Sequence, residues 1–173
     1  MKLISETRAL TKLERLRSDF ASRIRSNFEH RAKSCATCET PGACCLDEHF
    51  VNVRISRLEA KAIQLSLSTL DADLRFKVQT RIDRTIDKFD LRENSENTYA
   101  CPLFEKGTGC LVHSTAKPLP CIAHACYENK KDLPPDEMLA EHEGLIDKLN
   151  HKTYGSGSDF KSLPVAISDQ IHH

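Results

Sequence analysis

The segment CATCETPGACC, residues 35–45, carries four of the eight cysteines of the chain. A second segment, CPLFEKGTGCLVHSTAKPLPCIAHAC, residues 101–126, carries the other four. Glycine and proline lie between the cysteines in both segments, and no helical pattern of apolar residues continues through them, so we expect loops. Thiols that cluster in loops, rather than on apolar helix faces, indicate a metal site rather than a set of buried small hydrophobic residues.

The spacing of the cysteines suggests how they bind metal. Cys35 and Cys38 are separated by two residues, which lets two thiolates turn toward one tetrahedral zinc or iron ion. Cys44 and Cys45 are adjacent, and adjacent side chains on an extended backbone point to opposite sides. We therefore expect these two to serve different ions or two edges of one cluster. The predicted metal ligands are all eight cysteines, enough for two four-cysteine sites: Cys35, Cys38, Cys44, Cys45, Cys101, Cys110, Cys121 and Cys126.

The predicted ligands also indicate the class of metal. Thiolate sulfur favours zinc, iron–sulfur clusters or copper(I) over magnesium or calcium, and the sequence does not distinguish zinc from iron. Both cysteine loops lack the apolar residues that would order them alone. Metal binding would therefore contribute to folding, on the order of 10 kcal/mol in small zinc modules.

Composition excludes several classes of protein. A chain of 173 residues is long enough for one ordinary domain. Its 25 basic and 25 acidic residues give zero formal charge, which argues against a uniformly basic nucleic-acid binder. No apolar run approaches the roughly 20 residues of a membrane-spanning helix. The N-terminus becomes charged within a few residues and does not resemble a secretory signal, so we expect a cytoplasmic protein, in which thiols stay reduced.

The N-terminal segment, residues 1–34, is predicted to be a basic amphipathic helical arm. Apolar residues recur every three or four positions from Leu10 to Phe28, which predicts a helix over residues 5–32. The segment holds nine Lys or Arg and four Asp or Glu, a formal charge of +5. One interpretation is a solvated helix face that docks on the acidic remainder of the chain or on a second copy. The other is an arm that binds an acidic protein partner.

The rest of the chain is also predicted to be mainly helical. Alternating apolar residues in 49–55 favour a short strand, and Ser56 with Glu59 has the spacing of a capping box that opens a helix. Further helices are predicted after Asp71 and after Pro135. We expect a small metal-stabilised single domain, mainly α with a short strand or hairpin. Its parts would be the arm, a cysteine-cluster metal-binding domain over 35–152 and a flexible C-terminal tail over 153–173.

These motifs resemble a known family. The pattern of Cys35 to Cys45, then CPL at 101–103, GCLVH at 109–113 and KPLPC at 117–121, is similar to the YkgJ-type CxxCxxxCC proteins, described as zinc- or iron-chelating. The resemblance covers residues 35–127, and all eight cysteines find counterparts. It implies a metal-chelating domain, with a cluster-bearing relative in a flagellin lysine methylase, and it supplies no reaction.

The chain departs from the family pattern at four places. Five residues, 39–43, stand where the family name implies three. Lys117 and Ile122 stand where the family has arginine, and His113 where it has tyrosine. Arginine offers a planar fork of donors that lysine does not reproduce. The resemblance therefore extends to the metal scaffold and puts any shared anion or substrate site in question.

Three uses of the metal remain open. It can be structural, in a binding or scaffold protein whose arm recruits a partner or forms a homodimer. It can be an iron–sulfur cluster in a redox or electron-transfer protein. It can serve a metal-dependent enzyme, if the protein leaves one coordination position open. His113 and His124 are candidates for contacts around the ligands. His172 and His173 are left out, because they can be native or the remnant of a tag.

Overall fold

The computed structural model describes residues 3–33, 39–40, 42–49, 51–155, 157 and 159–171. Of these, 59% are helical and 8% lie in strands, which confirms a mainly α fold with short two-stranded pairs and a long N-terminal helix. The helices are α1 (Glu6–Asn27), α2 (Ala43–Leu46), α3 (Arg57–Ser68), α4 (Ala72–Lys88), α5 (Leu119–Ala123), α6 (Asp136–Tyr154) and α7 (Leu163–Ile171). The strands are β1 (Ala32–Lys33), β2 (Arg54–Ile55), β3 (Phe104–Glu105), β4 (Gly109–Cys110), β5 (Cys126–Tyr127) and β6 (Lys161–Ser162). Short 3₁₀ helices span Glu29–Arg31 and Lys130–Asp132.

The chain folds as two compact units. The first combines Met1–Pro41 with Lys117–Ser158, and the second combines Gly42–Ala116 with Asp159–His173. Each unit therefore joins segments that are distant in the sequence, whereas the sequence pattern predicts three consecutive parts. No helix among the described residues is both long enough and apolar enough to cross a membrane.

The first unit is built on α1. Its N-terminus is capped by Ser5, whose hydroxyl accepts a hydrogen bond from the backbone of Arg8 at 3.4 Å. One face of α1 is buried and packs against α5 and α6, and the Phe20 ring lies 4.7 Å from the ring of His142 on α6. β1 pairs with β5 in antiparallel register. Helix α1 of the predicted arm is thus part of the core of this unit, because its apolar stripe is covered by helices of the same chain.

The second unit packs α3, α4 and α7 around one apolar core. The capping box at the start of α3 is confirmed, since the Ser56 hydroxyl accepts from the Glu59 amide and the Glu59 carboxylate accepts from the Ser56 amide. The helix predicted after Asp71 is confirmed as α4, and Val78, Ile82 and Ile86, four residues apart, form its buried stripe. β2 pairs with β6, and β3 pairs with β4, both antiparallel.

The prediction of a flexible C-terminal tail over 153–173 requires correction. Residues through Tyr154 continue α6, and residues 161–171 form β6 and α7. Ile167 is fully buried, and α7 packs on α3 and α4. The glycine and serine residues at 155–158 suggest a linker. The apolar residues of α7, however, bury hydrophobic surface against α3 and α4, and these tertiary contacts order the segment.

Candidate metal centre

Two candidate ligands, Cys44 and Cys45, lie on the short helix α2. The residue before this helix, Gly42, has φ of +84°, a left-handed conformation that glycine adopts without strain. Its carbonyl oxygen accepts from the Cys45 amide at 2.9 Å and from the Leu46 amide at 3.0 Å. The expectation of an extended backbone here was wrong. On a helical turn adjacent side chains diverge by about 100°, and the two thiols share a hydrogen bond.

The glycine at position 42 is also required by its neighbour. The ring of Phe104, on β3, lies directly against the Gly42 α-carbon, in the space that a Cβ atom would occupy. Phe104 pairs across the hairpin with Cys110 on β4. This contact therefore places the helix that carries Cys44 and Cys45 beside the hairpin that carries Cys110.

Cys101 joins the same group through its backbone. Its amide donates to the carbonyl oxygen of Cys45 at 2.8 Å. Cys101 and Cys110 both pack against the apolar core of the second unit. Four predicted ligands from two stretches of sequence are thus brought together in this unit, and we call Cys44, Cys45, Cys101 and Cys110 the thiol cluster.

The pKa of Cys45 depends on its burial and on the neighbouring thiols of the cluster. Burial raises the pKa of Cys45 to about 12. Three neighbouring thiols add to that rise, those of Cys101, Cys44 and Cys110. Cys45 therefore keeps its proton at neutral pH unless a nearby cation stabilises the thiolate. A bound metal ion would supply this positive charge.

Opposing effects act on the pKa of Cys101. Burial raises its pKa to about 11, and the nearby Cys110 contributes to the rise. The backbone amides of Leu103 and Phe104 donate hydrogen bonds to the sulfur, and the charge of Arg81 acts in the same direction, so all three oppose the increase. Amides that donate to a sulfur favour its thiolate form, which is the form that binds metal.

The other two described cysteines belong to the first unit. Cys121 lies on α5, and Cys126 lies on β5, where it is the register partner of Lys33 on β1. Cys35 and Cys38 lie outside the described residues. His124, between Cys121 and Cys126 in the sequence, has a lowered pKa, first through partial desolvation of its ring and then through the charge of Lys117. The six described cysteines are therefore divided between the two units, four in the second and two in the first.

The donor types of the described cysteines fit a thiolate metal site, but these described residues do not form a coordination shell. Among the described residues, no three or more His, Cys, Asp or Glu side chains are arranged to hold an ion. The six described cysteines are half-buried thiols. In the second unit Cys44, Cys45, Cys101 and Cys110 would hold zinc or an iron–sulfur centre, and in the first unit Cys121 and Cys126 are candidates. Bound zinc would cross-link the loops, whereas an iron–sulfur centre would also carry an electron.

A cavity of about 370 Å³ opens beside Cys101 in the second unit. Phe89, Phe104 and Pro102 form apolar walls, and basic side chains of α4, including Arg84, line it as well. Residues from α4 and from the hairpin thus line one cavity together with Cys101.

Sequence reasoning did not identify Arg81, which lines this cavity together with Cys101. One of its terminal nitrogens, Nη1, donates to the Phe104 carbonyl oxygen at 3.2 Å and contacts a Glu105 oxygen at 2.8 Å. Arg81 is one of several charged residues on α4, and no pattern in the sequence separates it from the solvent-facing ones. Gly42 could have been singled out, since Pro41-Gly42 is a turn signal.

Comparisons of the chain with protein-family models, with curated proteins and with solved structures found no match.

Proposed function

We propose that the protein binds zinc or iron, the latter as an iron–sulfur cluster, through its cysteine thiolates. The observation that carries this proposal is the thiol cluster, in which cysteines from distant stretches of sequence come together. The thiols of Cys44, Cys101 and Cys110 lie close enough to Cys45 to raise its pKa, and that of Cys110 raises the pKa of Cys101. A group of buried thiols that repel one another as thiolates is stabilised by a soft cation, and such sites are typical of zinc and iron–sulfur proteins. The resemblance to the YkgJ-type family supports the same conclusion.

The metal in this proposal is primarily structural, in a binding or scaffold protein of the cytoplasm. Helix α2 and the β3–β4 hairpin are short elements that would gain stability from a shared ion. Cytoplasmic reduction would keep the thiols available for metal. The other four cysteines of the sequence, Cys35, Cys38, Cys121 and Cys126, would form the second four-cysteine site.

We also propose that α1 contacts a partner protein, or a second copy of the chain, through its charged face. The apolar face of α1 is covered by α5 and α6, so the exposed surface for a partner is polar. Arg8, Arg15 and Arg25 are exposed on this helix. Such contacts would weaken as salt is raised. Molecular mass measured by light scattering at low and high salt tests the homodimer.

Anaerobic purification, followed by elemental analysis and a visible spectrum, tests the metal proposal. Two zinc ions per colourless chain support a structural role, and a brown protein with iron and acid-labile sulfide supports the redox alternative. Cys45→Ser and Cys101→Ser are expected to lose about one ion each. Thr108→Ala, at an exposed position of the same hairpin, is the matched control and should keep full loading. Chain that contains neither metal, or full loading in both cysteine variants, contradicts the proposal.

A second candidate function, a metal-dependent enzyme, is favoured by the cavity beside Cys101. An ion in the thiol cluster with one position open to this cavity could bind a small ligand. The cobalt-loaded protein provides a test, because azide or imidazole that enters the coordination shell changes its visible spectrum. An unchanged spectrum would indicate a closed, structural site.

A further inference from the structure

The side chain of Arg81 is only partly satisfied in the second unit. Its Nη1 atom binds the Phe104 carbonyl oxygen and the Glu105 carboxylate. Its Nε and Nη2 atoms are buried and have no hydrogen-bond acceptor. Buried N–H groups of this kind are rare, because each loses its hydration and gains no bond in return.

The surroundings of Arg81 indicate which acceptor could meet these groups. The Nη1 contacts fix the guanidinium beside β3, three residues after Cys101, and Arg81 and Cys101 line the same cavity. Because Nε and Nη2 are closed to solvent, a ligand in the open part of the cavity does not reach them without rearrangement. The sulfur of Cys101 is the nearby group that gains acceptor strength when it becomes a thiolate.

Metal binding would create the charge that this arginine can balance. When a divalent ion displaces the protons of four thiols, four protons leave and the tetrathiolate centre carries a net charge of −2. Burying that charge is unfavourable unless a neighbouring cation and hydrogen bonds compensate it.

We propose that Arg81 is a positioning residue of the metal centre, whose unsatisfied Nε and Nη2 groups donate to a cysteine sulfur, that of Cys101 first, once metal is bound. The inference rests on the proposed function. Hydrogen bonds around a metal ligand typically change metal affinity by about 10- to 100-fold. Lysine retains the charge but lacks the planar pair of donors, so it would replace arginine only in part.

Cobalt(II) titration of the reduced full-length chain tests this inference. Sulfur-to-cobalt charge-transfer absorption reports both affinity and hydrogen bonding at sulfur, because donors to a thiolate shift these bands to shorter wavelength. We expect Arg81→Gln to lower cobalt affinity by about 10- to 100-fold and to shift the bands to longer wavelength. Arg81→Lys should recover part of the affinity. Arg84→Gln, on the same helix and lining the same cavity, is the control and should match the wild type.

Glu105→Gln separates the proposed role from a structural one. It removes the ion pair that holds Arg81 to the hairpin but keeps the guanidinium. If Arg81 acted only through this ion pair, Glu105→Gln would reproduce the loss seen in Arg81→Gln, and the inference would be overturned. Equal affinity and equal spectra for Arg81→Gln and wild type would overturn it as well. A wild-type chain that binds neither cobalt nor zinc would instead overturn the proposed function, and this inference with it.

Discussion

The backbone amide of Cys101 donates a 2.8 Å hydrogen bond to the carbonyl oxygen of Cys45. This bond joins the two stretches of sequence that carry the thiol cluster, and it is made by backbone atoms rather than by sulfur. The two segments are therefore held together independently of any ion, and metal would tighten an arrangement that already exists. Preorganisation of this kind reduces the entropy lost on binding.

Metal loading should stabilise both segments at once. We expect zinc added to the reduced protein to slow amide hydrogen exchange in residues 42–46 and 101–110 together, because one ion would constrain both. Exchange at the β2–β6 pair, away from the thiol cluster, should change little. Mass spectrometry of exchanged peptides, with a chelator to reverse the effect, provides the measurement. Protection that appears in only one of the two segments would show that they do not share an ion.

The contact between Gly42 and Phe104 should make Gly42→Ala strongly destabilising. Alanine would have to adopt the left-handed conformation, at about 1–2 kcal/mol, and its Cβ would overlap the Phe104 ring. Gly107→Ala is the matched control, since Gly107 has the same φ of +84° and no heavy atom within 4 Å of the added Cβ. Urea denaturation should show a larger loss for Gly42→Ala. Equal losses would mean that the contact with Phe104 contributes nothing.

The C-terminal helix should contribute to the stability of the second unit. Ile167 is fully buried on α7, so Ile167→Ala is expected to lower the free energy of unfolding by about 2–5 kcal/mol. Ile171, on the same helix, is 43% exposed, and Ile171→Ala should change stability by less than about 0.5 kcal/mol. Chemical denaturation measures both. A negligible effect of Ile167→Ala would support the flexible tail that the sequence suggested.

Asp169 on α7 should make this unit sensitive to acid. Burial alone would raise the pKa of Asp169, but hydrogen bonds and charges from Lys161 and Arg92 outweigh it and the pKa lies below its usual value. A lowered folded-state pKa stabilises the fold above the unfolded value of about 3.9, and this contribution is lost as pH falls through the folded value. Between about pH 5 and pH 3, the Asp169→Asn variant should therefore lose less free energy of unfolding than the wild type, by up to about 1 kcal/mol.

Urea denaturation across this pH range checks the prediction for Asp169. Asp159→Asn is the control, because the Asp159 side chain is 83% exposed and lies 3.9 Å from Lys161. It should leave the acid sensitivity nearly unchanged. If Asp169→Asn and wild type lose stability in parallel from pH 5 to pH 3, the ion pairs of Asp169 do not contribute.

Elements with strong local signals could be predicted from the sequence. The capping box of Ser56 and Glu59 sets the start of α3, and the stripe from Val78 to Ile86 sets the buried face of α4. These features depend on residues three or four positions apart, which are neighbours on a helix. The limits of α1 were predicted to within about five residues, because helix ends fray and depend on caps.

The thiol cluster could be predicted only in part. The clustering of cysteines in predicted loops identified the candidate ligands. The metal that they would bind stays a prediction. The association of Cys45 with Cys101, and the role proposed for Arg81, depend on contacts between distant segments. Such contacts leave no periodic signal in the sequence.

The sequence by itself determined the helical character, the apolar faces and the residue types that can bind a soft metal, because these follow from side-chain chemistry and spacing along one segment. Tertiary structure alone decided that the C-terminal segment is core rather than tail, and that the six described cysteines divide four and two between two units. The reason is physical: burial and hydrogen bonding between distant segments outweigh weak local preferences, and only the folded chain specifies which distant segments meet.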